Sequence, residues 1–382
     1  MSSVRLKALL LLVGGVLVAV LAALDFLEMR RDDLIVPGPG VKERFWLSRY
    51  LENLKGSPGD TDIFFLEGSA AGGSFLLLGG THPQETAGVL AAILLIERAL
   101  ASKGRFFVIP QANASGFTHS DPMEGYPRFF EIPTRDGARR FRLGMRRANP
   151  LHYWPDPEVY VHHPSGERLA GDEIRNLNRG YPGKAQGSLM ERVAFAVAEL
   201  IRREKVDVVL DLHEAYPEYS VVNVLVAHER AMDLASGAIL DLQAQGMRIN
   251  LMPSPKNLHG LSHRELGDFT PALALLAETP SPNMGRLRGK TSAELVVKGR
   301  DPFYVFAGQR KRLFVPFTEE GWPLSVRVGR HLDTLNAVLA AWNELTPARP
   351  LELKGLPGLS DLKEKGLGGY LRAPSDGASG KR

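Results

Sequence analysis

The sequence predicts an α/β domain built on a largely parallel sheet. Three observations carry this. From about residue 43 to 346, short apolar runs alternate with segments of helical length and periodicity. Three of the apolar runs end in His or Glu. Over 382 residues, 44% are hydrophobic and 24% charged, close to globular averages, so a sizeable core can be buried.

The elements follow in order. Arg5 and Lys7 precede an uncharged stretch, Ala8 to Leu24, which Asp25 ends. It is apolar all round, so it does not read as a buried amphipathic helix. Its length is at the lower edge for a membrane span. No A-x-A cleavage site follows Ala22-Ala23, so residues 1–24 read as an uncleaved signal anchor rather than a signal peptide. Basic residues before the span place the rest outside the cytoplasm, periplasmic or extracellular; Arg30 and Arg31 beyond it pull the other way. Residues 25–42, ending in "VPGPG", read as a linker.

The main domain then spans 43–346. "DIFFLEG" and "SFLLLGG" read as strands, "TAGVLAAILLIERALA" as a helix, and "GRFFVIPQAN" as a strand entering a loop. Residues 116–185, rich in Arg, Pro, His, Gly and aromatics, form a long irregular insertion of the kind that carries function. "SLMERVAFAVAELIRRE" is a helix and "VDVVLDLHEA" a buried strand. "VVNVLVAHE" is a further strand, with a helix near 229–246. "PALALLAETPSP" is a short strand, and a last helix runs near 328–346. Beyond Pro347 aromatics are few, which predicts a disordered tail over 347–382.

Several function classes drop out. The net charge is +4, and the basic residues are spread along the chain, so nucleic acid is not implied. With no cysteine, disulfides, Cys-type zinc sites and a cysteine nucleophile are excluded. "GSAAGGSFLLLGG" lacks G-x-G-x-x-G. Ser69, Ser74 and Ser115 have no nucleophile-elbow context.

What remains is at the strand ends. "FLLLGGTHPQE" supplies His82 and Glu85, "VVLDLHE" supplies His213, and "LALLAETP" supplies Glu278. Sites in parallel α/β sheets lie at the carboxyl ends of strands. Two imidazoles and one carboxylate make a three-ligand zinc site with one position open to water, the catalytic arrangement. Glu278 is then free to act as base. His162-His163 and His259/His263 read as surface or pocket polar residues, since neither pair has a carboxylate placed to complete a metal site.

"GGTHPQETAG", "RNLNRGYPG", "LDLHEA" and "AETP", in this order, resemble the zinc carboxypeptidase superfamily, and within it the succinylglutamate desuccinylase and aspartoacylase branch. "NASGFTHS" resembles a segment of the carboxypeptidase branch. The resemblance implies a three-layer α/β/α fold with a mixed, largely parallel sheet. It implies one Zn2+ per chain held by His82, Glu85 and His213, with Glu278 as general base. Asn178 and Arg179 match the pair that holds a substrate carboxylate. An Arg from "FRLGMRRANP" should polarise the scissile carbonyl; Arg147 is chosen over Arg142. Two departures stand out. Asn176 occupies the position of an acidic residue that orients a metal-bound His, and Glu214 adds a second carboxylate after His213, expected either on substrate or in solvent. The implied activity is zinc-dependent hydrolysis of an amide next to a free carboxylate, by a deacylase of N-acyl amino acids or a metallocarboxypeptidase on peptides. The alternative is a catalytically inactive peptide-binding protein on the same fold, which Asn176 alone favours.

Overall fold

The structure, a computed structural model, describes residues 3–120 and 126–377. Helix α1 (Ser3–Glu28) carries the apolar stretch, runs past Leu24, and buries none of its residues. Among the described residues it is the one helix long and apolar enough to cross a membrane.

Residues 25–42 do not form the expected linker. Met29 and Val36 are buried. The Asp33 carboxylate accepts from the backbone N–H of Arg142 at 2.9 Å and from its Nε at 3.3 Å. Val41 already belongs to strand β1 (Val41–Trp46). The segment is rich in Pro and Gly but holds its place through hydrogen bonds rather than periodicity.

Strands β2 (Asp62–Glu67) and β3 (Ala70–Leu78) lead to helix α2 (Thr86–Arg98), and β4 (Leu100–Ile109) follows. Two hairpins come next, β5 (Phe129–Thr134) with β6 (Gly137–Arg142), and β7 (Val159–Val161) with β8 (Arg168–Ala170). The insertion read as irregular therefore contains two small sheets joined by 3-10 turns. Then come α3 (Leu189–Glu204), β9 (Val208–Ala215), β10 (Val224–Ala227), α4 (Met232–Ala244), β11 (Asn250–Pro253), α5 (Ser262–Phe269) and β12 (Leu273–Pro280). Helices α6 (Ala293–Lys298), α7 (Pro302–Gln309) and α8 (Leu324–Leu345) complete the expected span.

The main sheet has the order β1-β2-β4-β3-β9-β12-β10-β11. Its four central strands, β4-β3-β9-β12, run parallel. Both flanks turn antiparallel, at β2/β4 and β10/β12. The period-2 alternation of strand side chains sends successive residues to opposite faces. Phe75, Leu77, Val208, Leu210 and Leu212 join α2, α4 and α8 on one side. Leu76, Leu78, Val209 and Ala274 join α3 and Leu266 of α5 on the other. This is a three-layer α/β/α sandwich. Helix α3 begins where a capping box predicts: Ser188 Oγ accepts from Glu191 N, and the Glu191 carboxylate accepts from Ser188 N at 2.8 Å.

The expected disordered tail is a second correction. Strand β13 (Glu352–Lys354) pairs antiparallel with β4, and helix α9 (Leu359–Lys365) lies against α8. Leu351, Leu362, Leu367 and Leu371 are buried in the main core, each burial contributing roughly 1.5–3 kcal/mol. These leucines compensate for the few aromatics. Residues 378–382, the end of that tail, lie outside the described residues.

Candidate metal centre

The site forms where β3 and β9 end and α2 begins. Gly80, at φ +66°, turns the chain out of β3 under Phe117. Gly88 lets α2 cross β9 closely, since a Cβ there would lie 2.5 Å from the Leu212 carbonyl oxygen. That contact brings Glu85, at the start of α2, to the end of β9.

His82, Glu85 and His213 are all buried, and their ligating atoms lie within 4.8 Å of one another. His82 Nδ1 is 2.7 Å from Glu85 Oε1, and His213 Nδ1 is 2.8 Å from Glu85 Oε2. Backbone Glu214 N donates to Glu85 Oε2 at 3.0 Å, which fixes the carboxylate. The far nitrogens meet acceptors. His82 Nε2 is 3.1 Å from Asn176 Oδ1, and His213 Nε2 is 2.9 Å from Asp211 Oδ2. Both rings thus aim Nδ1 at Glu85 and Nε2 away from it; His82 Nε2 is hydrogen-bonded to Asn176, whereas His213 Nε2 sits at ion-pair distance from Asp211 without hydrogen-bond alignment.

The Asn176 oxygen lies within hydrogen-bond distance of His82 Nε2, at the position where the resemblance places an acidic residue. Asp211 is a site residue the sequence reading missed. Its signal is the Asp-x-His spacing of "LDLHEA", which puts both side chains on one face of β9. Asp211 also accepts from Thr81 Oγ1 at 2.9 Å and Ser262 Oγ at 2.6 Å.

The electrostatics agree with a cation site. Burial, reinforced by Arg146, pushes His82 down to about 4, so its imidazole is neutral at pH 7. Burial would raise the Glu85 carboxyl, but His82 and His213 hold it well below its usual range. Burial would lower His213, and Asp211 and Glu85 more than offset it, raising its pKa well above the usual value. Two carboxylates thus draw positive charge to that ring. A divalent cation facing Nδ1 would satisfy the same field, and the buried two-nitrogen, one-carboxylate donor set fits zinc.

Glu278 pairs with His213 across the parallel β9/β12 register, on the same face. Its Oε2 is buried with no hydrogen-bond partner. Burial first, then the charge of Glu85, raises its pKa to about 8.

Glu214 is neither on substrate nor in solvent. Strand alternation turns it to the opposite face from His213, where it is fully buried. There it accepts from Arg327 Nη1 and, at 3.0 Å, from Ala87 N at the uncapped start of α2.

The arginine choice also needs correction. Arg147 does not face the centre: it is drawn onto Glu173 and Asp172. Its neighbour Arg146 does, with Nη1 3.5 Å from His82 Nδ1 and 3.8 Å from Glu85 Oε1. Arg142 is committed to Asp33 and Gln111. Asn178 is buried and its Oδ1 accepts from Ser262 N at 2.8 Å, which ties it to α5. Arg179 donates to the Asn178 carbonyl, with Nε 4.0 Å from Glu173. Burial and the nearby Arg146 lower the Arg179 pKa, so the two cations share a neighbourhood suited to an anionic group.

Among the other histidines, His162, His259 and Glu265 cluster, so a carboxylate does stand near. Both His162 nitrogens are nonetheless engaged, Nε2 by the Tyr181 carbonyl at 2.6 Å and Nδ1 by Ser165 Oγ at 2.7 Å. His263 is buried against Ser254 Oγ.

No family model matches the chain, and no curated protein does. Solved structures similar to it include a succinylglutamate desuccinylase/aspartoacylase from Rhodobacter sphaeroides. That match has 17% identity and a TM-score of 0.36, over 57% of this chain and 51% of that one. The chain therefore spans about half the length of that structure. A metallo-carboxypeptidase from Burkholderia cenocepacia is similar at 13% identity and TM-score 0.45, over 84% of this chain and 68% of that one. The tripeptide-bound cell shape determinant Csd4 of Helicobacter pylori is similar at 13% identity and TM-score 0.45, over 78% and 57% respectively.

Proposed function

We propose that this chain is a zinc-dependent amidohydrolase that cleaves an amide bond next to a free carboxylate. Its substrate would be an N-acyl amino acid or a short peptide. The observation that carries the reading is the pair of His82 and His213 Nδ1 atoms set around Glu85, with the Glu278 carboxyl, its buried Oε2 without a hydrogen-bond partner, one strand away. His82, Glu85 and His213 would hold one zinc, which when bound acidifies water toward a pKa of ~7 and polarises a carbonyl. Glu278 would accept the water proton and deliver it to the leaving nitrogen, general acid–base assistance of ~10²–10⁴-fold. Its partial exposure beside a buried oxygen suits a group that must meet substrate yet stay poorly solvated. Arg146 would stabilise the developing oxyanion. Arg179 would hold the substrate carboxylate through its planar fork, with Asn178 placing it.

Helix α1 supports a membrane anchor, and the Arg5/Lys7 flank supports an extracytoplasmic catalytic domain. That location favours a peptide over a cytosolic metabolite.

The test is metal content of the full chain, purified in detergent without chelator. One zinc per chain is expected, lost in His82→Ala and in His213→Ala. A wild-type chain that neither carries nor takes up zinc would overturn the reading.

A further inference from the structure

The two candidate imidazole ligands are supported differently. His213 Nε2 meets the Asp211 carboxylate at 2.9 Å, whereas His82 Nε2 meets the amide oxygen of Asn176 at 3.1 Å. The orientation of that amide is fixed by two partners whose roles are unambiguous. Its Oδ1 accepts from the backbone N–H of Asn178 at 3.1 Å. Its Nδ2 donates to Glu173 Oε2 at 2.6 Å. A flip would set Nδ2 against an N–H donor and Oδ1 against a carboxylate. His82 Nε2 must therefore donate, and the chain of hydrogen bonds runs His82 to Asn176 to Glu173.

We propose that Glu173 is a positioning residue for the metal centre, supplying His82 through the Asn176 amide with the negative charge that Asp211 supplies directly to His213. This rests on the reading of His82 as a metal ligand. A carboxylate accepting from Nδ2 polarises the amide and makes Oδ1 a stronger acceptor. That locks the Nε2–H tautomer of His82 and leaves its Nδ1 lone pair on the ligand side. Glu173 stands in a 3-10 turn (Gly171–Arg175) that ends at Asn176, so one short element carries both members. It is also held from the other side by Arg147 on Oε1, with Arg179 Nε 4.0 Å from Oε2. The charge on Glu173 thus lies between the ligand His82 and the arginines of the substrate side.

The experiment measures zinc affinity of the full chain in detergent by competition with a chromophoric chelator. Glu173→Gln keeps size and removes charge, and is expected to weaken zinc binding by about tenfold. Adding Asn176→Asp to that variant places a carboxylate directly on His82 and is expected to restore affinity to within about twofold of wild type. Arg147→Gln is expected to leave affinity unchanged. An unchanged affinity in Glu173→Gln would overturn the proposal. So would an equal loss in Arg147→Gln, which would make Glu173 only the anchor of that arginine. Failure of Asn176→Asp to restore binding, with an unaltered thermal midpoint, would overturn it too. If wild type binds no zinc, the metal reading itself falls, and this inference with it; if wild type binds zinc and the variants match it, only this inference falls.

Discussion

Glu85 and Glu97 sit at opposite ends of α2, both buried, and are held in opposite ways. Glu97 Oε1 accepts from Val36 N at 3.1 Å and Arg139 Nη1 at 2.6 Å, and Oε2 accepts from Arg372 N at 2.8 Å. Each partner can only donate. A carboxylate in the last turn of a helix opposes the macrodipole, and a guanidinium with two N–H groups offsets that. The pair staples the segment after α1, the β5–β6 hairpin and the C-terminal segment to one helix end. Glu85 instead faces the Nδ1 atoms of two imidazoles whose outward nitrogens meet acceptors. The Asp211 and Glu85 carboxylates draw positive charge to His213, as a proton on that ring or a cation beside it. A buried carboxylate held by fixed donors thus contrasts with one that faces two imidazoles, groups able either to donate a proton or to bind a cation.

The largest expected break in this comparison is at the Glu85 end. Glu278→Gln should lower turnover of a responsive N-acyl amino acid or peptide by ~10²–10⁴-fold while zinc content and fold persist. Turnover within a few-fold of wild type would remove Glu278 from the chemistry. At the staple end, Glu97→Ala leaves the buried Arg139 without its carboxylate partner, held only by the carbonyls of Leu34 and Arg372, and breaking such a buried ion pair typically costs about 3–5 kcal/mol. Denaturant titration should read that loss, with zinc per folded chain unchanged. A cost under about 1 kcal/mol, the scale of an exposed pair, would show that the staple holds nothing.

The meeting of the polar strand ends around Glu85 was legible in the sequence, and the staple was not. Buried parallel strands appear as apolar runs, so their polar ends stand out, and His82, Glu85, His213 and Glu278 do converge there. Strand periodicity held more than was read from it. Asp211 shares a face with His213, and Glu214 must take the other. The choice of Arg147 over Arg142 passed over Arg146, because what sorts Arg146 from Arg147 is Glu173, a residue outside that stretch that draws Arg147 away. The staple joins residues 36, 97, 139 and 372 through single contacts, and no local pattern marks such a meeting. The leucines of the C-terminal segment follow neither a helical nor a strand period, because they belong to a strand, a helix and turns in quick succession.

The smallest expected effect sharpens the comparison through pH. His331 packs behind the site, fully buried, with Nε2 3.3 Å from Thr279 Oγ1 and Nδ1 unpartnered. Burial, with added repulsion from His213 and Arg330, pushes it down to about 3 from an ordinary 6.5. The folded chain keeps this imidazole neutral, whereas the unfolded chain protonates it below about 6.5. The unfolded state then binds the extra proton, so stability is fully present above pH 6.5 and falls as pH drops through the window down to about 3. One such group contributes at most about 1.4 kcal/mol per pH unit inside that window. Chelator-treated wild type and His331→Gln, unfolded by denaturant at pH 7 and pH 5, should differ in slope by up to that amount, with the variant less acid-sensitive. Terms from His82 and His263 are common to both chains and cancel, whereas His213, whose charge helps depress His331, adds a coupled contribution to the same difference. Equal slopes would mean that His331 reaches water or a proton acceptor in the folded state, and that the apolar backing of the site is looser than its packing indicates.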